Sequence, residues 1–317
     1  MKVKRTYILF INLLVFYSFG FTQRKSIPFY VDDENKIILD YTIKGKRVKL
    51  FFDTGSNGNI LDIQFSDKVG FLSHKENKEI ARTTIGNEVF HVILPDDNVY
   101  YKDSVFNCGW VLTNMSKTRK VFNFGNDIDG LVGINFNFNK YVIDLDFKNK
   151  QLRFWDSLPQ NYSNNAKVNK ISLIKTDCAR EANYSYLLSD YSCVPGLLTI
   201  SDTIQLHPYF VLDTGCKVYT SIAVYDSLLL KKMIEYKKMI EKKYGDNYPT
   251  TRLQISELGI DSSFAKIGII KKCYINNERV NQFGNYKIGG LLGMDFFLQY
   301  ERVLFDCKNR IAYFIKK

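Results

Sequence analysis

A mainly β molecule made of two pseudo-twofold related β lobes, with one sizeable helix in the second lobe, is the fold class this 317-residue sequence predicts. Three observations predict it. Asp-Thr-Gly occurs twice, at Asp53-Thr54-Gly55 and Asp213-Thr214-Gly215, each behind an apolar run, Leu50-Phe51-Phe52 and Phe210-Val211-Leu212. Each Asp is followed 80 residues later by the last glycine of a matched segment, Gly130-Leu131-Val132-Gly133 and Gly290-Leu291-Leu292-Gly293. Further on, Asp146-Phe147-Lys148-Asn149-Lys150 and Asp306-Cys307-Lys308-Asn309-Arg310 keep the same 160-residue offset. So long a period lies outside the range of solenoids and propellers and indicates two related lobes. Each half is long enough to bury its own core, and the aromatic and Ile/Val-rich segments favour strands.

The chain opens with basic residues, Met1-Lys2-Val3-Lys4-Arg5, and an apolar stretch from Tyr7 to Phe21. That pattern predicts a signal peptide over residues 1–22, and the run is shorter than the ~20 residues of a spanning helix. The expectation is export to the periplasm, the cell surface or the medium, with no stable membrane insertion after cleavage. Loss of Lys2, Lys4 and Arg5 leaves 41 basic against 33 acidic residues, about +8. The densest basic cluster, Lys231 to Lys243, is interleaved with Glu235 and Glu241, which suits a solvated helix face rather than a nucleic-acid site. Six cysteines allow up to three disulfides in an exported chain, with Cys178 and Cys193 the best local pair and buried thiols the alternative. No Cys-x-x-Cys spacing occurs and only His74, His91 and His207 are present, so neither a metal nor another cofactor is expected.

Taken in order, residues 23–158 form the first predicted lobe. Strands Ile37–Ile43 and Val48–Phe52, joined at Lys44-Gly45-Lys46, deliver Asp53 at a strand end. A second hairpin over Arg82–His91, with Gly86-Asn87 at its tip, is the candidate cover for the site. The lobe boundary falls in the polar, proline-marked stretch Leu158–Ala166. Residues 159–317 form the second lobe, in which Leu197–Ile204 and Tyr209–Leu212, turning at His207-Pro208, deliver Asp213. A helix is predicted over Ser221–Tyr244, where Ile222, Tyr225, Leu229, Met233, Tyr236 and Ile240 recur at helical steps before Gly245. Asp146 and Asp306 read as turn-forming acids rather than catalytic ones.

Gly55 and Gly215 permit the sharp turn and close approach that a β-carbon would oppose, while Thr54 and Thr214 can fix the turn by hydrogen bonds to main chain. If the lobes meet about a pseudo-twofold axis, Asp53 and Asp213 face each other and cannot both ionise. One carboxylate could then draw a proton from a shared water while the other carboxylic acid donates to a substrate carbonyl.

With these residues in view, the chain resembles the aspartic peptidases, in the single-chain, two-lobed pepsin-like arrangement rather than the retroviral homodimer. The likeness rests on Asp53-Thr54-Gly55-Ser56, Asp213-Thr214-Gly215-Cys216 and the two apolar-apolar-Gly segments, and spans roughly Ile37 to Phe314. It looks closest to bacterial exported aspartyl-protease-like proteins. The resemblance implies the bilobal acid-protease fold and an endopeptidase with Asp53 and Asp213 catalytic. Thr54, Gly55, Ser56, Thr214, Gly215 and Cys216 would support them, and Gly133 and Gly293 would let the strands behind pack on the loops. It also implies a peptide or protein substrate and a monomer that forms its own pseudo-dimer. Cys216 departs from the hydroxyl at the matching position, a thiol being the weaker donor. No tyrosine lies in Arg82–His91, with Tyr100 and Tyr101 beyond it. A catalytically weak or inactive bilobal peptide-binding protein is the alternative.

Overall fold

The computed structural model describes residues 23–43, 45–56, 59–69, 78–83, 86–92, 110–125, 127–134, 141–163, 168–176, 191–195, 197–201, 204–206, 209–217, 220–224, 251–255, 260–265, 268–269 and 288–317, together with 231, 235, 238, 239 and 242. Among them strands dominate, as the sequence predicted, and the helices are short. Residues 1–22, Tyr100, Tyr101, Cys108, Cys178 and Cys273 lie outside the described residues.

The two halves repeat one strand pattern. In the first, Lys46–Asp53 runs antiparallel to Ile37–Ile43 and parallel to Gly130–Gly133, which pairs antiparallel with Asn59–Asp62; that strand in turn runs parallel to Trp110–Thr113. In the second, Tyr209–Leu212 occupies the same place between Tyr191–Pro195 and Ile288–Leu292, followed by Thr220–Val224 and Gly268–Ile269 with the same alternation of directions. The 80-residue spacing is the register of the parallel pairs: Asp53 stands opposite Gly133, and Leu212 opposite Leu292.

A shared sheet joins the halves. Val142–Asp146 and Gln151–Trp155 from the first pair in one sheet with Tyr300–Asp306 and Ile311–Lys316 from the second. Asp144 faces Leu304, its own equivalent at the 160-residue offset, while Arg302 faces Asp146 and Asp306 faces Val142. Residue i meets j and the equivalent of j meets the equivalent of i, the rule of a twofold contact. One face of this sheet feeds the main core through Ile143, Leu145, Leu152, Phe154, Val303, Phe305 and Phe314. The other face carries fully buried Asp144 and Asp146 with Arg153 and Arg302. Arg302 donates to Asp144 from Nε at 3.1 Å, and Trp155 Nε1 donates to Asp144 at 3.0 Å. The segment read as the lobe boundary forms one helical turn, Gln160–Ser163, whose buried Tyr162 ring lies 4.6 Å from the Arg302 guanidinium.

Asp146 and Asp306 cap matched hairpin turns, each accepting from the main-chain N–H of Asn149 or Asn309 at 2.8 and 3.0 Å. Lys150 and Arg310 close those turns at φ 54° and 55°.

Three local readings need correction. The partner of the strand leading to Asp213 is Tyr191–Pro195, not Leu197–Ile204, because the second lobe's hairpin is longer: Leu197–Ser201 pairs with Ile204–Leu206 farther out and belongs to a separate four-stranded sheet. The 160-residue offset holds on the returning arm and slips on the outgoing one, since Ile38 faces Phe51 whereas Cys193 faces Val211. His207 and Pro208, read as the turn, lie outside the described residues. Next, Ser221–Val224 is strand, not the start of a helix, since it takes the place of Asn59–Asp62 beside the apolar-apolar-Gly segment. Beyond it the backbone is helical at Lys231, Glu235, Lys238, Met239 and Lys242, and these residues are exposed. Lastly, the candidate cover is a hairpin of Lys78–Thr83 with Gly86–Val92, in which Gly86 and Asn87 pair with Thr83 and Arg82; the loop is residues 84–85, outside those described.

The disulfide expectation finds no support: Cys193, Cys216 and Cys307 are not joined to one another, and Cys193 is buried on its strand.

Candidate active site

Both Asp-Thr-Gly loops begin where a buried strand runs out, and the apolar-apolar-Gly strand alongside fixes their height. Asp53 and Asp213 are half-buried, Thr54 and Thr214 are buried, and Gly55, Ser56, Gly215 and Cys216 are again half-buried. Within each loop the same bonds recur. Gly55 N–H donates to Asp53 Oδ1 and Gly215 N–H to Asp213 Oδ1, both at 2.8 Å. Ser56 N–H reaches the Asp53 carbonyl at 3.1 Å, and Cys216 N–H reaches the Asp213 carbonyl at 3.2 Å.

Across the axis, the threonines lock the loops together. Thr54 N–H donates to Thr214 Oγ1 at 3.0 Å and Thr214 N–H to Thr54 Oγ1 at 2.9 Å. Each hydroxyl passes its own proton to the opposite lobe, Thr54 to the Leu212 carbonyl at 2.7 Å and Thr214 to the Phe52 carbonyl at 3.0 Å. All four bonds are buried, so each loop relies on the other lobe to satisfy its buried polar groups.

This lock brings the carboxyls together. A β-carbon on Gly55 would lie 2.5 Å from Asp213 Cγ, and one on Gly215 would lie 2.6 Å from Asp53 Cγ. The glycines are needed for that approach, since each offers the facing carboxyl bare backbone. Burial first, then the negative charge of Asp213 and a hydrogen bond with it, push the Asp53 carboxyl well above the usual carboxylate range, against the N–H groups of Gly55 and Gly215. Burial also raises Asp213, which is held back by its hydrogen bond with Asp53 and by the N–H groups of Gly215 and Cys216. Two carboxyls so close hold one proton between them and titrate as a pair.

No family model matches the chain, and no curated protein matches it. Among solved structures, the aspartic proteinase from Irpex lacteus matches 92% of this chain and 97% of its own, at 11% identity and a TM-score of 0.50. The fold is that of a bilobal aspartic proteinase. At this identity the likeness concerns the fold alone, and at 92% coverage it takes in both halves of this chain.

Of the packing glycines, Gly133 lies opposite Asp53 and donates its N–H to Asn59 Oδ1 at 3.1 Å. Gly293 caps the short helix Met294–Phe297 in extended backbone, while Met294 N–H reaches the Cys216 carbonyl at 2.7 Å. Sequence reading missed Asn59, although a buried amide six residues after a loop aspartate was visible as an oddity in Gly58-Asn59-Ile60-Leu61. It also missed the turn Asp32–Lys36. There Asn35, at φ 59°, donates to Asp295 at 2.9 Å and Glu34 meets Lys217 at 2.9 Å, tying the first lobe to the short helix Met294–Phe297 and to the segment just after the second Asp-Thr-Gly.

Proposed function

We propose that this protein is an aspartic-type endopeptidase that hydrolyses peptide bonds through a water held between Asp53 and Asp213. The observation that carries the reading is the contact of each loop glycine with the opposite carboxyl, which requires the two acids to share one small space. In that space the ionised member acts as base toward the water, and the protonated member donates to the substrate carbonyl oxygen. Their roles exchange when the tetrahedral intermediate collapses and the leaving nitrogen takes a proton. Neither half suffices, because each contributes one carboxyl and the hydroxyl that orders the other's loop. We further propose an exported monomer acting on peptide or protein substrates in a periplasmic, cell-surface or secreted setting, in keeping with the basic and apolar residues 1–22.

The test is cleavage of a peptide library from acid to neutral pH, comparing wild type with Asp53→Asn and Asp213→Asn. Loss of cleavage in both variants, with folding intact, is expected. Equal cleavage in all three proteins would overturn the proposal, and peptide binding without cleavage by wild type would replace it with a binding role.

A further inference from the structure

Gly133 ends the strand that runs beside Asp53, and its main-chain N–H is held by a side chain. The parallel pairing of Lys46–Asp53 with Gly130–Gly133 continues to the last residue, where Asp53 stands opposite Gly133. On the far side of Gly130–Gly133, the antiparallel pairing sets Ile60 against Leu131 and Leu61 against Gly130. Past those pairs the Asn59 amide, only 1% exposed, accepts the Gly133 N–H on Oδ1 in a buried bond of 3.1 Å. The second lobe is built differently. Thr220, at the 160-residue offset from Ile60, faces Leu292, one residue beyond the counterpart of Leu131. Asp213 N–H donates to the Leu292 carbonyl at 2.9 Å, and Met294 N–H to the Cys216 carbonyl at 2.7 Å. Those bonds are made by main chain, and the residue 160 positions after Asn59 is Tyr219, which carries no amide.

We propose that Asn59 is a positioning residue for Asp53: by taking the Gly133 N–H it fixes the strand end against which the first carboxyl is set, a task that main chain performs for Asp213. A buried N–H deprived of its acceptor draws its strand toward another partner, and the register of Asp53 moves with it. Small movements matter at this place because the two carboxyls share a proton only at close range. The negative charge of Asp213 is one of the causes that hold the Asp53 carboxyl up. Carboxyls held farther apart repel less, so the pair gives up its shared proton at lower pH.

This role rests on the endopeptidase reading of the dyad, and two readouts keep them apart. The first is steady-state peptide cleavage by Asn59→Leu and Asn59→Ala, which remove the acceptor, and by Asn59→Asp, which keeps one. Leu152→Ala, in the buried core of the joining sheet, serves as a destabilised control. Both acceptor-less variants should lose about tenfold to a hundredfold in kcat with KM little changed, and their cleavage should fail at lower pH on the way to neutral. Asn59→Asp should keep most of the wild-type kcat in acid, where its carboxyl is neutral, and Leu152→Ala should keep both kcat and pH profile. The second readout needs no cleavage: urea melts across pH compare each protein with its Asp53→Asn counterpart. The pH at which their stabilities part should be lower without the Asn59 acceptor. If wild type cleaves nothing, the endopeptidase reading fails and the melts alone decide on Asn59. An unchanged titration, a kcat loss shared by Leu152→Ala, or no recovery in Asn59→Asp overturns the proposal. So does failure of both acceptor-less variants to fold, since Asn59 would then belong to the core.

Discussion

Gly215 has no room for a side chain. A β-carbon there would sit 2.6 Å from Asp53 Cγ, so Gly215→Ala must push apart the carboxyls or the loops that hold them. Cleavage should fall by at least about a hundredfold, by analogy with the cost of small misplacements of reacting groups, with stability lowered by about 1–3 kcal/mol as for other overpacked sites; kinetics and a urea melt would measure both. Thr54→Val should cost about 1–3 kcal/mol, since it leaves the Thr214 N–H buried without its acceptor. Thr54→Ser, which keeps the hydroxyl, should recover most of that loss in the same melt. The dyad's raised pKa values also fix a sign. A carboxyl that binds its proton more tightly in the folded than the unfolded chain stabilises the fold in acid. That contribution is lost as pH rises from the ordinary carboxylate range through the raised values of the pair. Asp53→Asn should therefore be more stable than wild type at neutral pH and lose that advantage in acid, while wild-type cleavage falls as the shared proton leaves.

At the scale of elements, the buried ion cluster beneath the joining sheet is the most exposed to damage. Asp144 is completely buried; burial pushes its carboxyl up, and Arg302, Trp155 and Arg153 draw it back. Arg302→Met should remove about 3–5 kcal/mol, as expected for a buried charge left without its partner. Adding Asp144→Leu should restore much of the loss, which chemical denaturation of the single and double variants would reveal. This cluster was not legible in the sequence. Asp144 and Arg302 carry no local signal; they become neighbours only when strands 158 residues apart pair. The hairpin to Asp53 and the turns at Asp146 and Asp306 were legible, because apolar alternation, Gly45 and the Asp-x-x-Asn pattern act within a few residues. Ser221–Val224 misled because Ile222 and Tyr225 fit helical spacing, whereas its position beside Gly290 and Leu291 decides for strand.

For the whole molecule, the shared sheet predicts a single unfolding event. The last two strands of the second half complete a sheet begun in the first, and the threonine lock ties the loops above it. Scanning calorimetry should show one transition whose calorimetric and van't Hoff enthalpies agree, rather than two separable lobe transitions. The candidate site was legible at this scale because it is written twice: the two Asp-Thr-Gly copies and their glycine partners announced a pair. Their asymmetry was legible only in part. Cys216 could be read directly, but the unequal hairpin arms and the Asn59 contact with Gly133 required the register of paired strands.

The meeting of Asp144 with Leu304 has a further consequence. In an assembly of two identical subunits, the residue on the axis meets itself, so any substitution there strikes twice and must tolerate its own image. Within one chain that constraint is lifted. The axial position could become acidic on one side and aliphatic on the other, and a single arginine could then serve one side alone. Covalent linkage has thus allowed a contact of twofold geometry to become chemically one-sided, and each half can acquire a residue that its counterpart could not accommodate.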